Sequence, residues 1–421
     1  MDITSKPPRP SSILRQLGPG IITGAADDDP AGIATYSQVG AQFGYNLAWT
    51  MLFSLPFMVV IQEISGRIGC VSGRGIAHNL RLHYSPWLVR SVVLLLMIAN
   101  IVNLAADLGA MGSALQLLCG GNPRLYTVGF GIVCVIAEIF ISYVRYARLL
   151  KWLTLSLFTY VAVAFSVHLP WRSALLATLV PHLEWTKAGA MALVAVLGTT
   201  ISPYLFFWQS SLEVQEQSRT DAQPLCLIPM EAPSAFRRIQ GDTIAGMSAS
   251  NIIAIFIIYA TAATLHASGV TSIQTSSQAA EALRPLAGRF AFTIFAAGII
   301  GTGLLAVPVL AGSGAYALAE TFGWQEGLSR QLLEAKSFYA AIAIATMLGA
   351  AINFTSLDPV KALYWSAVVN GILAAPVMAA VMLISGNPRI MGELTVVGVM
   401  KALGWCATAL MFTASVAFFV L

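Results

Sequence analysis

Apolar residues occur along this chain in long blocks, which are separated by short polar breaks. About eleven of these blocks are long enough to cross the hydrocarbon core of a bilayer, which takes roughly 20 helical residues. Runs of this length and hydropathy are typical of transmembrane helices, so the pattern predicts an all-α integral membrane protein. The predicted spans are residues 14–41, 45–65, 86–118, 125–143, 148–168, 188–213, 241–266, 289–319, 337–353, 361–384 and 398–420.

The composition supports this reading. Of the 421 residues, 57% are apolar and only 10% are charged, whereas soluble domains carry roughly 25% charged residues. Little of the chain is left for an extramembrane domain, and the net charge of +4 indicates neither a nucleic-acid partner nor an acidic substrate. The five cysteines lack the paired spacing of zinc or redox sites. Hydrolase, metalloprotease and P-loop signatures are also absent from the sequence, so we expect a protein that is not an enzyme and has no cofactor.

The distribution of positive charge predicts the orientation. With the N-terminus inside, 17 of the 23 Lys and Arg residues fall in inner segments, as the positive-inside rule requires. An odd number of spans then puts the C-terminus outside. We therefore expect a multi-pass protein of the cell membrane, with the lipid bilayer as its surroundings and a cytoplasmic N-terminal tail at residues 1–13. The oligomeric state stays open, and a monomer is compatible with this plan.

Two of the predicted spans are interrupted by polar residues. The first contains G-A-A-D-D-D-P-A-G at residues 24–32, and the sixth contains G-T-T-I-S-P-Y at residues 198–204. A proline removes a backbone donor and disfavours helix in the residue before it, so both spans are expected to unwind there. Irregular backbone at membrane depth is tolerated only inside protein or beside a watery cavity.

The two breaks lie five spans apart, which predicts an internal repeat. Because five is odd, the second half inserts upside down, and paired broken helices in such halves mark the substrate site of inverted-repeat transporters. The expected single transporter domain, residues 1–421, comprises repeat one at about 14–168, repeat two at about 188–384 and an extra helix at about 398–420.

Three adjacent carboxylates in the first break need partners, because a charge near the bilayer centre costs at least about 2.5 kcal/mol. Bound cations would supply them. Successive helical residues point about 100° apart, so Asp27, Asp28 and Asp29 cannot all face one ion. Asp29 precedes the proline and is the expected metal ligand. The alternative is that the triplet caps a half-helix or lines a wet vestibule.

The sixth span offers only oxygen ligands. Thr199, Thr200, Ser202 and Tyr204 carry hydroxyls, and the opening before Pro203 would free carbonyls from Thr199 to Ser202. Such a set suits a hard divalent cation such as Mg²⁺. The alternative for each hydroxyl is a bond back to its own helix.

The third span carries Asn100, Asn103 and Asp107, spaced by three and four residues and hence on one helical face. This stripe either lines the path of an ion or proton, or joins the span to its neighbours by hydrogen bonds. Near the inner end of the second span, Glu63 and Arg67 have the spacing of an intrahelical salt bridge.

The chain resembles the Nramp family of divalent metal transporters over nearly its whole length, and three stretches carry the resemblance. They are Q-L-G-P-G-I-I-T-G-A-A-D-D-D-P-A-G from Gln16, Q-E-I-S-G-R-I-G-C-V-S-G-R-G-I-A from Gln62 and A-D-L-G-A from Ala106. The resemblance implies eleven or twelve helices in a five-plus-five inverted repeat, like that of amino-acid/sodium symporters, with helices 1 and 6 broken. It also implies proton-coupled uptake of manganese and iron.

Three of the family's motifs are altered in this chain. Its first-span D-P-G-N corresponds to Asp29, Pro30, Ala31 and Gly32, so the asparagine ligand is missing. Its sixth-span M-P-H corresponds to residues 202–204, where Ser202 and Tyr204 replace the thioether and the imidazole. Its third-span D-L-A-E corresponds to residues 107–110, where the glutamate is missing. These departures resemble the Nramp-related magnesium transporters, as does I-S-P-Y-L-F-F-W-Q from Ile201.

The departures have chemical consequences. Loss of the sulfur removes the ligand that favours softer metals. Gly32 and Ser202 are smaller than the family's asparagine and methionine, so they are expected to widen the site for a partly hydrated Mg²⁺. Loss of the histidine and glutamate removes proton carriers. We therefore expect transport of Mg²⁺, with Mn²⁺ also accepted, by alternating access and without strict proton coupling. The expected metal residues are Asp29, Ala26, Gly32, Thr199 and Ser202, and the expected pocket and pathway residues are Asp28, Tyr204, Trp208, Asn103 and Asp107.

Two alternatives remain at this point. The first is a proton-coupled Mn²⁺/Fe²⁺ symporter, which external acid would stimulate. The second is a sodium-coupled carrier of a small organic solute, whose anionic group the residue 27–29 carboxylates would repel.

Overall fold

The structure, a computed structural model, describes residues 18–141, 157–328, 330–355 and 358–420. The predicted tail at residues 1–13 and the first part of the fifth predicted span, residues 148–156, lie outside these ranges. Within them the chain forms α-helices joined by turns and short 3-10 segments, and no strand.

Eighteen helices are labelled in chain order within the described residues. They are α1 (Pro19–Asp27), α2 (Pro30–Phe43), α3 (Trp49–Ser72), α4 (Ile76–His83), α5 (Pro86–Cys119), α6 (Pro123–Phe140), α7 (Phe158–Ser166), α8 (Trp171–Leu179), α9 (Lys187–Thr200), α10 (Pro203–Arg219), α11 (Ala232–Thr264), α12 (Ser276–Glu281), α13 (Arg284–Ala287), α14 (Ala291–Phe322), α15 (Lys336–Ile352), α16 (Pro359–Ser385), α17 (Pro388–Met391) and α18 (Gly398–Val420).

The predicted spans are recovered as helices. Eight stretches of the described residues are long and apolar enough to cross a bilayer, and α15 is a shorter apolar helix that matches the ninth predicted span. The first span consists of α1 and α2, and the described part of the fifth is α7. The helix of the seventh predicted span, α11, begins nine residues earlier than predicted. Its polar first turns extend the helix before the apolar run that hydropathy detects.

Both predicted breaks are confirmed, and each is only two residues long. The first lies at Asp28–Asp29 and the second at Ile201–Ser202. A proline occupies the first position of the helix after each break, where its missing N–H removes no helical hydrogen bond. The sequence thus ends one half-helix and starts the next at almost the same depth.

The broken helix of each half packs against a helix of the other half. The half-helix α2 packs against α11, the second helix of the other half, and α10 packs in the same way against α3. The third helices of the two halves, α5 and α14, pack along each other. This arrangement places both breaks in the centre of the bundle.

The half-helix α1 lies against α11 with almost no side chain between them. A Cβ at Gly24 would be 2.3 Å from the backbone carbonyl carbon of Gly246, and one at Gly246 would be 2.5 Å from the carbonyl oxygen of Gly20. Small residues at these positions allow two membrane helices to approach closely. The contact fixes the end of α1 that carries Asp27.

We expect Gly246→Ala to destabilise the protein by about 1–3 kcal/mol, the usual cost of adding a methyl group to a closely packed interior. The matched control is Gly241→Ala in the same helix, where a Cβ would meet no atom within 4 Å. Thermal unfolding in detergent measures both variants. Equal melting temperatures for the two would contradict the close contact.

Candidate metal site

The carboxylate of Asp29 lies between the two breaks. Asp29 is the N-cap of α2, and its Oδ1 accepts a hydrogen bond from the Gly32 N–H at 2.6 Å. An anion at this position interacts favourably with the helix dipole. The residue is 2% exposed. The local sequence D-P-A-G therefore fixes the orientation of the carboxylate and leaves Oδ2 directed at other partners.

Tyr204 joins the two breaks. Its hydroxyl lies 3.2 Å from Asp29 Oδ2 and 3.3 Å from the carbonyl oxygen of Ala26, so its one proton is within donating distance of both. Ala26 is in the last turn of α1, and Tyr204 is in the first turn of α10. Oxygens from α1, α2 and α10 therefore converge on one buried point.

Thr199 contributes a fourth oxygen close to this point. A Cβ built on Gly32 would lie 3.1 Å from Thr199 Oγ1, 3.3 Å from Asp29 Oδ1 and 3.4 Å from the Tyr36 ring. The room left by the small residue at position 32 is therefore bordered closely on three sides. The widening expected from Gly32 is small here, because Thr199 and Tyr36 already occupy much of the surrounding space.

Ser202 lies in the second break, but its hydroxyl donates back to its own helix. Its Oγ is 3.0 Å from the carbonyl oxygens of both Gly198 and Thr199. Thr200 behaves in the same way toward Val196 and Leu197. The lone pairs of the Ser202 oxygen remain free to bind a cation, so its role as a ligand stays a prediction.

The other two carboxylates of the first break turn toward α11. Ser250 Oγ lies 2.7 Å from Asp27 Oδ2 and 2.8 Å from Asp28 Oδ1. Because the hydroxyl carries one proton, the two carboxylates share a single donor. Asp28 is therefore held by a different partner from Asp29, while still lying next to it in the chain. Sequence reasoning missed Ser250, since a serine in a helix carries no signal of a carboxylate that is distant in the chain.

Asp107 and Asn103 approach the site from α5. Both are fully buried, and the Asp107 carboxylate lies near the Asp29 carboxylate, the Tyr204 hydroxyl and the backbone amide of Ala31. Trp208 lies one turn beyond Tyr204 and packs against Gly312 and Tyr316 of α14. These contacts hold α10 against α14.

A second set of polar contacts joins the half-helices on the side where α1 begins. Thr23 Oγ1 lies 2.6 Å from Gln209 Oε1 and links α1 to α10, and Gln62 of α3 donates to the Leu205 carbonyl oxygen at 2.9 Å. The predicted Glu63–Arg67 salt bridge is confirmed at 2.5 Å. Sequence reasoning missed Thr23 and Gln209, whose contact joins residues 186 positions apart.

The donor set determines what the site can bind. The atoms that converge between the breaks are carboxylate, carbonyl and hydroxyl oxygens, which are the ligands of hard cations. Within the described part of the chain, no group of three or more His, Cys, Asp or Glu residues could hold a metal ion. One carboxylate supplemented by neutral oxygens suits an ion that must also leave, as a transported substrate does.

Comparison with known proteins gives consistent matches over the full chain. The profile of the Nramp family, described as natural resistance-associated macrophage protein-like, matches residues 20–421. The divalent metal cation transporter MntH of Klebsiella pneumoniae is 26% identical over 408 residues, which is 94% of this chain and 92% of the relative.

Two solved structures illustrate the shared fold. The manganese transporter of Eremococcus coleocola, crystallised with an aromatic bis-isothiourea compound, is 17% identical with a TM-score of 0.74, covering 98% of this chain and 88% of that one. MhsT bound to L-phenylalanine is 15% identical with a TM-score of 0.61, covering 97% and 98%. The all-helical inverted-repeat architecture with broken helices 1 and 6 is thereby established. The chain belongs to the Nramp family and is a multi-pass membrane transporter, not an enzyme.

Proposed function

We propose that this protein carries divalent metal cations across the membrane by alternating access, with Mg²⁺ as its principal substrate and Mn²⁺ also accepted. The observation that carries the proposal is the Asp29 carboxylate, which is buried between two helix breaks and surrounded by oxygen atoms. Transport of divalent metals is also what the names of the Klebsiella and Eremococcus relatives state for those proteins.

In this proposal the Asp29 carboxylate supplies the anionic ligand. The carbonyls of Ala26 and Thr199 and the hydroxyl of Ser202 complete the shell from the two breaks, and the Gly32 position borders it. The Tyr204 hydroxyl, which already joins Asp29 to Ala26, either coordinates the ion through its oxygen or turns aside. The half-helices α1 and α10 then open and close the site toward the two sides of the membrane.

The preference for Mg²⁺ rests on the absence of soft ligands among the converging atoms. A thioether at position 202 would favour softer metals, whereas the serine there gives no such preference. Coupling to protons is not expected to be strict, because Tyr204 and Ala110 stand where the family motifs carry a histidine and a glutamate. A negative potential inside the cell drives the divalent charge inward.

Two other functions are less well supported. A proton-coupled Mn²⁺/Fe²⁺ symporter would use the same fold, but it would rely on the soft and titratable side chains that this chain replaces. A sodium-coupled carrier of an organic solute shares the fold of MhsT. Three buried carboxylates at residues 27–29 oppose the binding of an anionic substrate group.

We also propose the orientation and the division into halves given by the sequence. The N-terminus faces the cytoplasm and the C-terminus the outside. The repeats comprise residues 14–168 and 188–384, with the helix at 398–420 outside them. The support is the charge bias, in which 17 of 23 Lys and Arg residues fall on the inner side.

Asp29→Ala is expected to lower uptake of Mg²⁺ and Mn²⁺ by at least about tenfold, since even outer-shell partners of metal sites commonly contribute this much to affinity. The measurement is uptake into proteoliposomes with a negative internal potential and an internal pH dye. The matched control is Asp221→Asn, in an exposed loop. We expect potential-driven Mg²⁺ entry without acidification. Entry of Mn²⁺ together with protons, with no entry or competition by Mg²⁺, would support the symporter instead.

Ser202→Cys is expected to make Mg²⁺ uptake about tenfold more sensitive to Cd²⁺, a change worth ~1.4 kcal/mol, because a sulfur ligand favours soft metals. The inhibition constant of Cd²⁺ measures the effect. Ser268→Cys is the control, since this residue is exposed and donates to the Thr264 carbonyl oxygen at the end of α11. An unchanged Cd²⁺ sensitivity in Ser202→Cys would place position 202 outside the ligand shell.

Reporter fusions test the orientation. Alkaline phosphatase fused after the C-terminus should be active, because the enzyme folds only outside the cytoplasm, and a fluorescent protein fused to the N-terminus should fluoresce inside the cell. An inactive C-terminal fusion that is expressed at the same level would reverse the assignment.

A further inference from the structure

Asn100, Asn103 and Asp107 share one polar face of α5. The surroundings of Asn100 differ from those of the other two. Asn100 is 1% exposed, and its Nδ2 donates to the Leu310 carbonyl oxygen at 2.8 Å and to Ser313 Oγ at 2.9 Å. These bonds join α5 to α14, while Asn100 Oδ1 has no hydrogen-bond partner among the described residues. Asn100 therefore has the structural role that a buried amide usually has in a membrane bundle.

Asn103 lies one turn further along the same face and has no such bonds. It is 0% exposed, and neither its Nδ2 nor its Oδ1 has a hydrogen-bond partner among the described residues. Asp107, one turn further on, is also 0% exposed, and its carboxylate lies beside the backbone amide of Ala31 at the start of α2. Nearly all buried polar atoms in proteins bond to protein, water or an ion, so the two unpartnered amide atoms of Asn103 point to a partner that is not part of the chain.

The position of these atoms identifies the partner. The Asp107 carboxylate lies near the Asp29 carboxylate and the Tyr204 hydroxyl, and it approaches the Ala31 amide, which also lies beside Asp29. Asn103 is four residues away on the same face, a separation of about 6 Å along the helix. Both side chains therefore approach the converging oxygens from the α5 side, and Asp107 does so beside the first turn of α2.

We propose that Asn103, together with Asp107, hydrogen-bonds the water molecules that a cation at Asp29 retains, and thereby determines which cation is carried. This inference rests on the proposed function. Mg²⁺ gives up water reluctantly and usually keeps several molecules in an octahedral shell. Water bound to a divalent cation is a strong donor, so it requires acceptors. Asn103 Oδ1 and the Asp107 oxygens supply them, and the Asn103 amide can donate to a further water.

The proposal predicts one variant that is more stable but binds Mg²⁺ less well. Asn103→Leu replaces an unpartnered buried amide with an apolar side chain of similar size, so it should raise the melting temperature by about 2–4 °C. It should also raise the KM for Mg²⁺ by about tenfold and the KM for Mn²⁺ by less than about threefold, because Mg²⁺ depends more on its retained water. Asn100→Leu is the matched control, and it should lower the melting temperature because it breaks two bonds.

The experiment is uptake of Mg²⁺ and Mn²⁺ into proteoliposomes by the full-length variants, with thermal unfolding of the same preparations. If the leucine does not fit, Asn103→Ala gives the same test of KM. A KM for Mg²⁺ within twofold of the unaltered protein, or equal losses for both metals with a lower melting temperature, would overturn the role of Asn103. Asp29→Ala separates the two proposals, since uptake that survives this change rejects the Asp29 site itself and not the assignment of Asn103 alone.

Discussion

The hydrogen bond from the Gly32 amide to Asp29 is the interaction on which the centre of this protein depends. It places a carboxylate at the start of a half-helix, where the backbone amides are otherwise without partners. The proline that follows ends the preceding helical pattern and starts the next. One short motif therefore breaks the span, satisfies the new helix end and orients a charge toward the second break.

The rest of the architecture compensates for placing that charge in the middle of a membrane. Tyr204 brings a hydroxyl from the opposite half to the free oxygen of Asp29, and Ser250 does the same for Asp27 and Asp28. The exchanged packing of the halves, α2 on α11 and α10 on α3, keeps these donors in reach. The buried carboxylates thus obtain their hydrogen-bond donors only when the two halves pack together.

Much of this arrangement could be predicted from the sequence, because its causes are local. Apolar runs predict spans, and a proline after aspartates predicts a break, so the breaks at Asp28–Asp29 and Ile201–Ser202 follow from nearby residues. Partners on distant helices have no such signal. Ser250 and Gln209 lie in ordinary helical stretches, and only packing of the helices brings them to Asp28 and Thr23. The room around Gly32 likewise depends on a distant residue, Thr199 of the other half.

The contact between α1 and α11 has a further consequence for motion. Where backbone meets backbone at Gly24 and Gly246, no side chain can change rotamer to absorb a displacement. Dispersion forces at such a surface weaken within a fraction of an ångström of separation, unlike the longer-ranged attraction between charges. A helix held in this way stays in register until it leaves as a rigid body, so the first half-helix is expected to have two discrete positions and few intermediate ones.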